Sequence, residues 1–508
     1  MRATERAGGP SVAAVLASAR TFTIDGVSAR EVRVEVDVHR GLPAFTIVGL
    51  PDTAVRESRE RVRAALVNCG FEFPLRRITV NLAPADLPKA GPGLDLATAA
   101  ALIAASGQLP EGLNSSFALA GELALDGSVR PIAGVLAMAE AARAAGSERL
   151  VVADANGPEA ALVDGLEVLP LERLDQLPAL LRGEWEPVAP EPLALAGPAA
   201  SPDIVDLRGQ PGLRRALEVT AAGGHSLLMI GPPGAGKSLA ARRLSSLLPP
   251  LERAEALEVA RIASIAGRLN GGPSIRRPFR APHHSISSAG LVGGGNPPRA
   301  GEVTLAHRGL LFLDELGEFG RAALEALRAP LEDGTVTVTR AARTVELPCR
   351  FMLVAAANPC PCGRGEDDER CRCTPQTMRR YEAKLTGALA DRIDIWKGVA
   401  QPSAEAMDGA AGERSEAVRE RVCAARARQA ERLGPRRCNA DLAPAELRGL
   451  EVVASARTAL AEQHRAMGLS GRGHDRVLRV ARTIADLARA KAIGPDQMQE
   501  ALGLRRPA

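Results

Sequence analysis

Hydrophobic and polar positions along the 508-residue chain repeat with two different periods. In REVRVEVDVHRG (residues 30–41) apolar and charged residues alternate, which predicts a β-strand with one buried face. In DTAVRESRERVRAALVNCG (52–70) a capping Asp precedes a run with a charged face, and a Gly closes it, which predicts a helix. RITVNLAP (77–84) reads as another strand and LDLATAAALIAASG (94–107) as another helix. Residues 13–182 are therefore expected to form an α/β or α+β domain with its own core, within a first domain at 1–185. Residues 186–203 are rich in Pro and Ala, have no period and read as a linker. Short apolar strands at 226–230, 309–316 and 350–359 predict a second α/β domain over 204–400. Helical patterns at 413–432, 444–467 and 473–491 predict a helical lid over 401–508. The fold class expected is multidomain α/β, without internal repeats.

One strand-to-helix junction carries chemistry. In MIGPPGAGKSL (229–239), Gly231, Pro232, Pro233, Gly234, Ala235, Gly236, Lys237 and Ser238 fill the pattern G-x-x-x-x-G-K-[ST]. Glycines let backbone N–H groups turn inward as an anion nest, and the N-terminus of the helix expected at 239–248 adds partial positive charge. Lys237 would reach the β- and γ-phosphates and Ser238 would ligate Mg²⁺. A plain glycine-rich turn has no need of the Lys-Ser pair, so ATP with Mg²⁺ is the expected cofactor.

Two more strand ends fit the same chemistry. GLLFLDEL (309–316) is an apolar run ending in paired acids, 77 residues after Lys237. Asp314 would hold the Mg²⁺ shell and Glu315 would orient and polarise the attacking water. RFMLVAAANP (350–359) ends in an amide, Asn358, which would position that water or sense the γ-phosphate. Taken alone Asn-Pro is a turn former; its order after the other two motifs favours the functional reading.

Composition narrows the partners. Lys plus Arg is 64 against 60 acids, a net charge of +4, which excludes a globally basic nucleic-acid coat but allows local basic patches. Nine Phe, two Trp and one Tyr argue against a base-stacking platform. No apolar run approaches the ~18 residues of a membrane span. The first twenty residues place charge before a short Ala-rich apolar run, as a leader does, but an ATP site belongs in the cytosol, so a cytoplasmic protein is expected.

GPPGAGKS, GLLFLDEL, AAANPCPCG and LTGALADRIDI, in this order, resemble an AAA+ ATPase of the magnesium-chelatase-like group, specifically the ComM/YifB family. GLPAFTIVGLPDTAVRESRERVRAAL, FRAPHHSISSAGLVGGG and HDRVLRVARTIADL extend the resemblance over nearly the whole chain. It implies a bacterial, cytosolic homo-hexamer that hydrolyses ATP, and a ComM-like motor acting on branched or single-stranded DNA, with branch-migration or helicase activity in recombination or natural transformation. It also gives Arg392 (ADRIDI) the role of an arginine finger reaching a neighbour's γ-phosphate. Arg472 (LSGRGHDRVLRVAR) takes the role of a lid sensor, with Arg476 as the alternative.

LEDGTVTVTRAARTVELP (331–348) reads as a β-hairpin with a basic tip. The resemblance places Arg340 and Arg343 at a ring's central pore, where they would grip DNA phosphates. SIRRPFRAPHHSIS (274–287) offers Arg276, Arg277 and Arg280 beside His283 and His284, but no further ligand at metal spacing follows the histidines. GLVGGGNPP (290–298) reads as a flexible insertion loop.

Eight cysteines occur, and Cys360, Cys362, Cys371 and Cys373 crowd into fourteen residues. Four thiolates suit a tetrahedral structural Zn²⁺, although C-x-C is tighter than the usual C-x₂₋₄-C, and reduced free thiols are the alternative. Lying between Asn358 and Arg392, the cluster is expected to brace the interface that delivers the finger.

LPKAGPGLD (87–95) and GELALDGSVRPIAG (121–134) resemble the Lon-type proteolytic domain (ribosomal S5 domain 2-like). The serine position of active members is Gly93 and the lysine position Leu136, so that dyad chemistry cannot run; Lys89 has no serine partner. An ATP-driven DNA motor is the leading expectation. A chelatase-type ATPase remodelling a protein partner is the alternative, and an ATP-dependent protease is rejected.

Overall fold

The computed structural model describes residues 15–109, 116–197, 202–269, 271–295, 299–340, 343–365, 368–385, 387, 389–408, 412–467 and 469–505. Residues 1–14 of the leader-like start, 198–201 of the linker, 296–298 of the glycine-rich loop and 341–342 of the hairpin tip lie outside them. The chain divides into two compact units, Met1–Leu195 with Ala260–Pro273, and Ala196–Val259 with Ser274–Ala508. Among the described residues no helix is long and apolar enough to cross a membrane.

The first unit is built on a mixed seven-stranded sheet. Its spatial order is Ala44–Val48, Arg77–Ala83, Ser28–His39, Val15–Asp25, Phe117–Ala120, Arg149–Ala153 and Glu167–Leu171. Ser28–His39 pairs antiparallel with both neighbours, whereas the last three strands run parallel, so antiparallel and α/β halves share one sheet. Alternation acts as expected: Val32, Val34, Val36 and Val38 are buried along one face. Helix Thr53–Asn68 starts where Asp52 Oδ1 accepts the Val55 N–H at 2.8 Å, and it buries Val55, Val62, Ala65 and Leu66. Helix Asp95–Ala105 is apolar but for Asp95 and Thr98, and buried throughout but for Ala104.

The protease-like positions of this unit carry no polar side chain. Gly93 lies in the turn Pro92–Leu94, where a Cβ would meet Ile132 Cδ1 at 3.0 Å. Leu136 is buried in helix Val135–Ala144. Lys89 is fully buried, its ammonium donates to the Pro84 carbonyl, and burial lowers its pKa against the raising charge of Asp86.

The second unit centres on a five-stranded parallel sheet in the order Phe279–Arg280, Leu310–Leu313, Met352–Ala357, Leu227–Ile230, Ile395–Gly398. Its three central strands read as continuous apolar runs because both faces are covered. The helical region after the sheet does not have a core of its own. Val422, Ala425, Val477, Val480 and Ile484 belong to the same cluster as Leu213, Leu217, Leu227 and Phe312. A buried polar network adds to this: His225 Nδ1 lies 3.1 Å from Asp394 Oδ2, and its Nε2 lies 2.7 Å from Thr483 Oγ1 on helix Gly471–Leu487. Burial opposes ionisation of Asp394, but the His225 hydrogen bond and the charges of His225, Arg476 and Arg479 outweigh it and hold the carboxyl below its usual range.

Some elements differ from the sequence expectation. The helix expected at 444–467 is two, Pro444–Arg448 and Ala454–Met467, separated around Gly449. A helix Pro495–Gly503 follows, started by Pro at its first position and by the Gly494 N–H donating to Gln497 Oε1 at 2.9 Å. The stretch read as a flexible loop begins as a helix, Ser288–Val292, capped by Ser287, and continues into Gly293–Gly294, which pairs antiparallel with Arg299–Ala300.

Candidate functional site

Parallel pairing sends the C-terminal ends of adjacent strands to one edge, the usual ligand edge of an α/β sheet. Leu227–Ile230 opens there into the glycine-rich loop, Met352–Ala357 ends at Asn358, and Leu310–Leu313 ends at Asp314 and Glu315. Because Met352–Ala357 lies between the other two, Asn358 stands between the loop and the acids.

Backbone geometry shapes the loop. Gly234 and Gly236 have φ of +79° and +86°, left-handed conformations that favour glycine, and helix Lys237–Leu247 begins at the loop itself. That start is two residues earlier than the sequence suggested, so the helix dipole points into the loop. Two amides that the sequence reading missed hold it from outside: Gln210 Nε2 donates to the Ala235 carbonyl at 2.7 Å, and Gln401 Nε2 to the Pro233 carbonyl at 3.0 Å. No local pattern marks either.

Lys237 and Asn358, 121 residues apart, meet: the ammonium donates to Asn358 Oδ1 at 3.2 Å, to the Pro232 carbonyl at 2.9 Å and to the Gly231 carbonyl. Burial lowers the Lys237 pKa, while the charges of Asp314 and Glu315 work in the opposite direction. Ser238 Oγ donates to Asp314 Oδ2 at 2.6 Å. A hydroxyl and a carboxylate oxygen at one point are hard ligands of the kind Mg²⁺ takes, so these residues fit a nucleotide carried with its metal.

Glu315 is exposed and has φ +52°, an uncommon conformation for a residue with a side chain and typical of strain held at functional positions. Its carboxylate faces His284, whose Nδ1 lies 3.4 Å from Glu315 Oε2. The His283 and His284 rings lie with centroids 4.1 Å apart, tilted by 34°. The histidine pair therefore neighbours the acid.

Other basic residues have internal uses. Arg277 donates to the carbonyls of Pro249 and Arg308 at 2.8 Å each, and Arg280 forms a two-pronged pair with Glu302 at 2.6 and 2.8 Å. Both guanidinium groups are thus engaged within the fold. Arg392, in the turn Ala390–Arg392, pairs with Glu332 at 2.5 Å. Arg472, near the start of helix Gly471–Leu487, reaches the same Glu332 oxygen at 3.8 Å. Arg476, the sensor alternative, is buried beside Asp394, its Nε 3.2 Å from the carboxylate. The hairpin forms as expected: Thr335–Arg340 pairs antiparallel with Arg343–Pro348, and Arg340 and Arg343 are the last partners before the tip.

The four cysteines gather. Cys360 Sγ lies 3.3 Å from Cys362 Sγ and 3.8 Å from Cys371 Sγ, and all four sulfurs, Cys373 included, lie within 4.8 Å of one another.

Comparison with known proteins agrees with this layout. Residues 203–407 match the family "Magnesium chelatase, subunit ChlI", residues 34–156 match "Subunit ChlI of Mg-chelatase", and residues 412–505 match "Magnesium chelatase, subunit ChlI C-terminal". The chain is 42% identical to competence protein ComM of Haemophilus influenzae and 43% identical to the uncharacterized protein YifB of Escherichia coli, each over 94% of this chain and 95% of the relative. It is 45% identical to an uncharacterized protein of Mycobacterium tuberculosis strain H37Rv, over 97% of this chain and 99% of that protein.

Proposed function

The chain belongs to the ComM/YifB family of magnesium-chelatase-like AAA+ ATPases, and from this we propose that it is an ATP-driven hexameric motor acting on branched DNA. The observation that carries the ATPase part is the convergence of Lys237, Ser238, Asp314, Glu315 and Asn358 on one sheet edge. Lys237 and the loop N–H groups bind the β- and γ-phosphates. Ser238 and Asp314 hold Mg²⁺, which neutralises charge on those phosphates when bound. Glu315 orients the attacking water and takes its proton, and Asn358 fixes that water against the terminal phosphate. Arg392 completes the site of a neighbouring subunit, and Arg472 acts from the helical lid at residues 401–508.

DNA enters through two supports. One is the likeness to a protein named for competence; the other is the Arg340–Arg343 hairpin, which a ring would repeat around its channel. The deciding measurement is the ATP hydrolysis rate alone, with linear DNA and with a four-way junction. Lys237→Ala is the blank and the Arg340→Ala/Arg343→Ala double variant tests the hairpin. Junction-stimulated hydrolysis that the hairpin variant loses, with basal hydrolysis kept, is the expected result; indifference to every DNA overturns the DNA reading. The three chelatase-subunit matches favour one other reading, remodelling of a protein partner. Stimulation by a protein and not by DNA would single it out.

A further inference from the structure

The four cysteines lie against the ATP site, and the contacts that join them to it run in both directions along the chain. Cys360 is buried and follows Asn358 by two residues. Its sulfur accepts the Gly365 N–H at 3.2 Å, the kind of backbone contact that steadies a metal-bound thiolate. The intervening turn rests on the phosphate loop: a Cβ on Gly363, whose φ is +82°, would come within 2.9 Å of the Pro233 ring. On the far side, helix Pro375–Leu385 begins two residues after Cys373. Its Tyr381 is buried with the hydroxyl end of its ring against Gly317, and its Lys384 ammonium donates to the Gly317 carbonyl at 3.0 Å. Gly317 stands two residues beyond Glu315. The knuckle is thus the link between the residue that follows the amide strand and the helix that seats the turn bearing Glu315.

The sulfur spacing suits a metal. Four thiolates about 2.3 Å from a central Zn²⁺ stand about 3.8 Å apart along the edges of a tetrahedron. The observed separations of 3.3, 3.6 and 3.8 Å approach that edge and are far beyond the ~2.05 Å of a disulfide. Four protein ligands leave no open position, so such an ion is structural.

We propose that Cys360, Cys362, Cys371 and Cys373 bind one Zn²⁺ and that this ion is a positioning element for hydrolysis, holding Asn358 and the Glu315 turn in mutual register. The proposal rests on the ATP-site roles given above. It separates binding from chemistry: the loop that carries Lys237 and Ser238 is held also by Gln210 and Gln401 and keeps the nucleotide without the ion, whereas Asn358 and Glu315 lose their alignment.

The test uses the full-length protein purified under reducing conditions. Metal analysis is expected to find about one zinc per chain, and Co²⁺-substituted protein is expected to show thiolate-to-metal charge-transfer and tetrahedral ligand-field bands. Chelation, or the Cys362→Ser/Cys373→Ser double variant, lowers kcat by about tenfold or more, while affinity for a fluorescent ATP analogue changes by less than about threefold. Adding Zn²⁺ back restores kcat to the chelated wild type and not to the double variant. Tyr381→Leu keeps its zinc and shows the same loss of kcat, which separates the link from the ligands. Reduced protein without bound metal overturns the site. Bound metal whose removal leaves kcat unchanged, or zinc-loaded Tyr381→Leu with wild-type kcat, overturns the coupling. Zinc-loaded wild type without Lys237-dependent hydrolysis overturns the ATPase reading and the coupling with it, while leaving the metal result standing.

Discussion

Arg392 and Glu332 form an ion pair at 2.5 Å, and Arg472 approaches the same carboxylate oxygen at 3.8 Å. The two arginines assigned to the ATP site by family likeness thus share one acid on helix Arg328–Asp333. The Arg392 side chain is only 8% exposed, so action on a neighbour requires it to leave Glu332. An arginine finger supplies on the order of 10³-fold in rate, so Arg392→Ala should lose about that much hydrolysis and retain nucleotide binding. Mixing Arg392→Ala with Lys237→Ala subunits should restore part of the activity, because some interfaces then pair an intact loop with an intact finger. A mixture as inactive as its components would exclude action in trans.

His284 restrains Glu315 by a partly exposed contact at 3.4 Å. Such a pair is worth about 0.2–1 kcal/mol, so His284→Ala should raise basal hydrolysis about 1.4-fold to fivefold and reduce the further gain on adding DNA. Glu315→Gln should bind ATP normally and abolish turnover. Steady-state rates beside nucleotide affinities check both, and an unchanged basal rate in His284→Ala would remove the restraint.

The hairpin arginines should act through salt-sensitive phosphate contacts. The plot of log affinity for DNA against log salt concentration should flatten by about one unit for each of Arg340 and Arg343 that engages a phosphate. Titrations of the single alanine variants at several salt concentrations measure this; parallel plots for wild type and variants would place the DNA contacts elsewhere.

Burial, and next the charge of Arg308, lower the His307 imidazole to about 4. Its Nδ1 accepts the Arg350 N–H at 3.1 Å, so the ring is neutral with its proton on Nε2, 3.4 Å from Glu258 Oε2. The unfolded chain takes up the proton near pH 6.5, before the folded one does. The contribution is complete above about pH 6.5 and is lost as pH falls toward 4. Between pH 6.5 and 5 this one group should cost about 2 kcal/mol of stability. Denaturant unfolding of wild type and His307→Gln across that range should show a flatter pH slope in the variant.

Chemistry written in contiguous residues was legible in the sequence. The loop from Gly231 to Ser238, the acids after an apolar strand, the hairpin and the paired C-x-C motifs each occupy one short stretch. What escaped depends on partners far along the chain. Arg277 and Arg280 show their internal pairing only through Glu255 and Glu302, each 22 residues away. His284 gained meaning only from Glu315, and Gln210 only from the loop carbonyl 25 residues on. The expected helix at 444–467 failed for a local reason, the interruption around Gly449, which periodicity over a long window passes across.

Residues Ala260–Pro273 pack with the first unit although they lie within the sequence of the second. Arg261 pairs with Glu140 at 3.0 Å, Ser264 donates to Glu159, and the Ser264 carbonyl accepts the Gly134 N–H at 3.1 Å. No single cut of the gene therefore yields both units whole. A fragment ending in the linker would lack a piece of its own wall, and the complementary fragment would carry that piece with nothing to cover. Dissection of this protein calls for an excision joined by a short graft rather than a truncation.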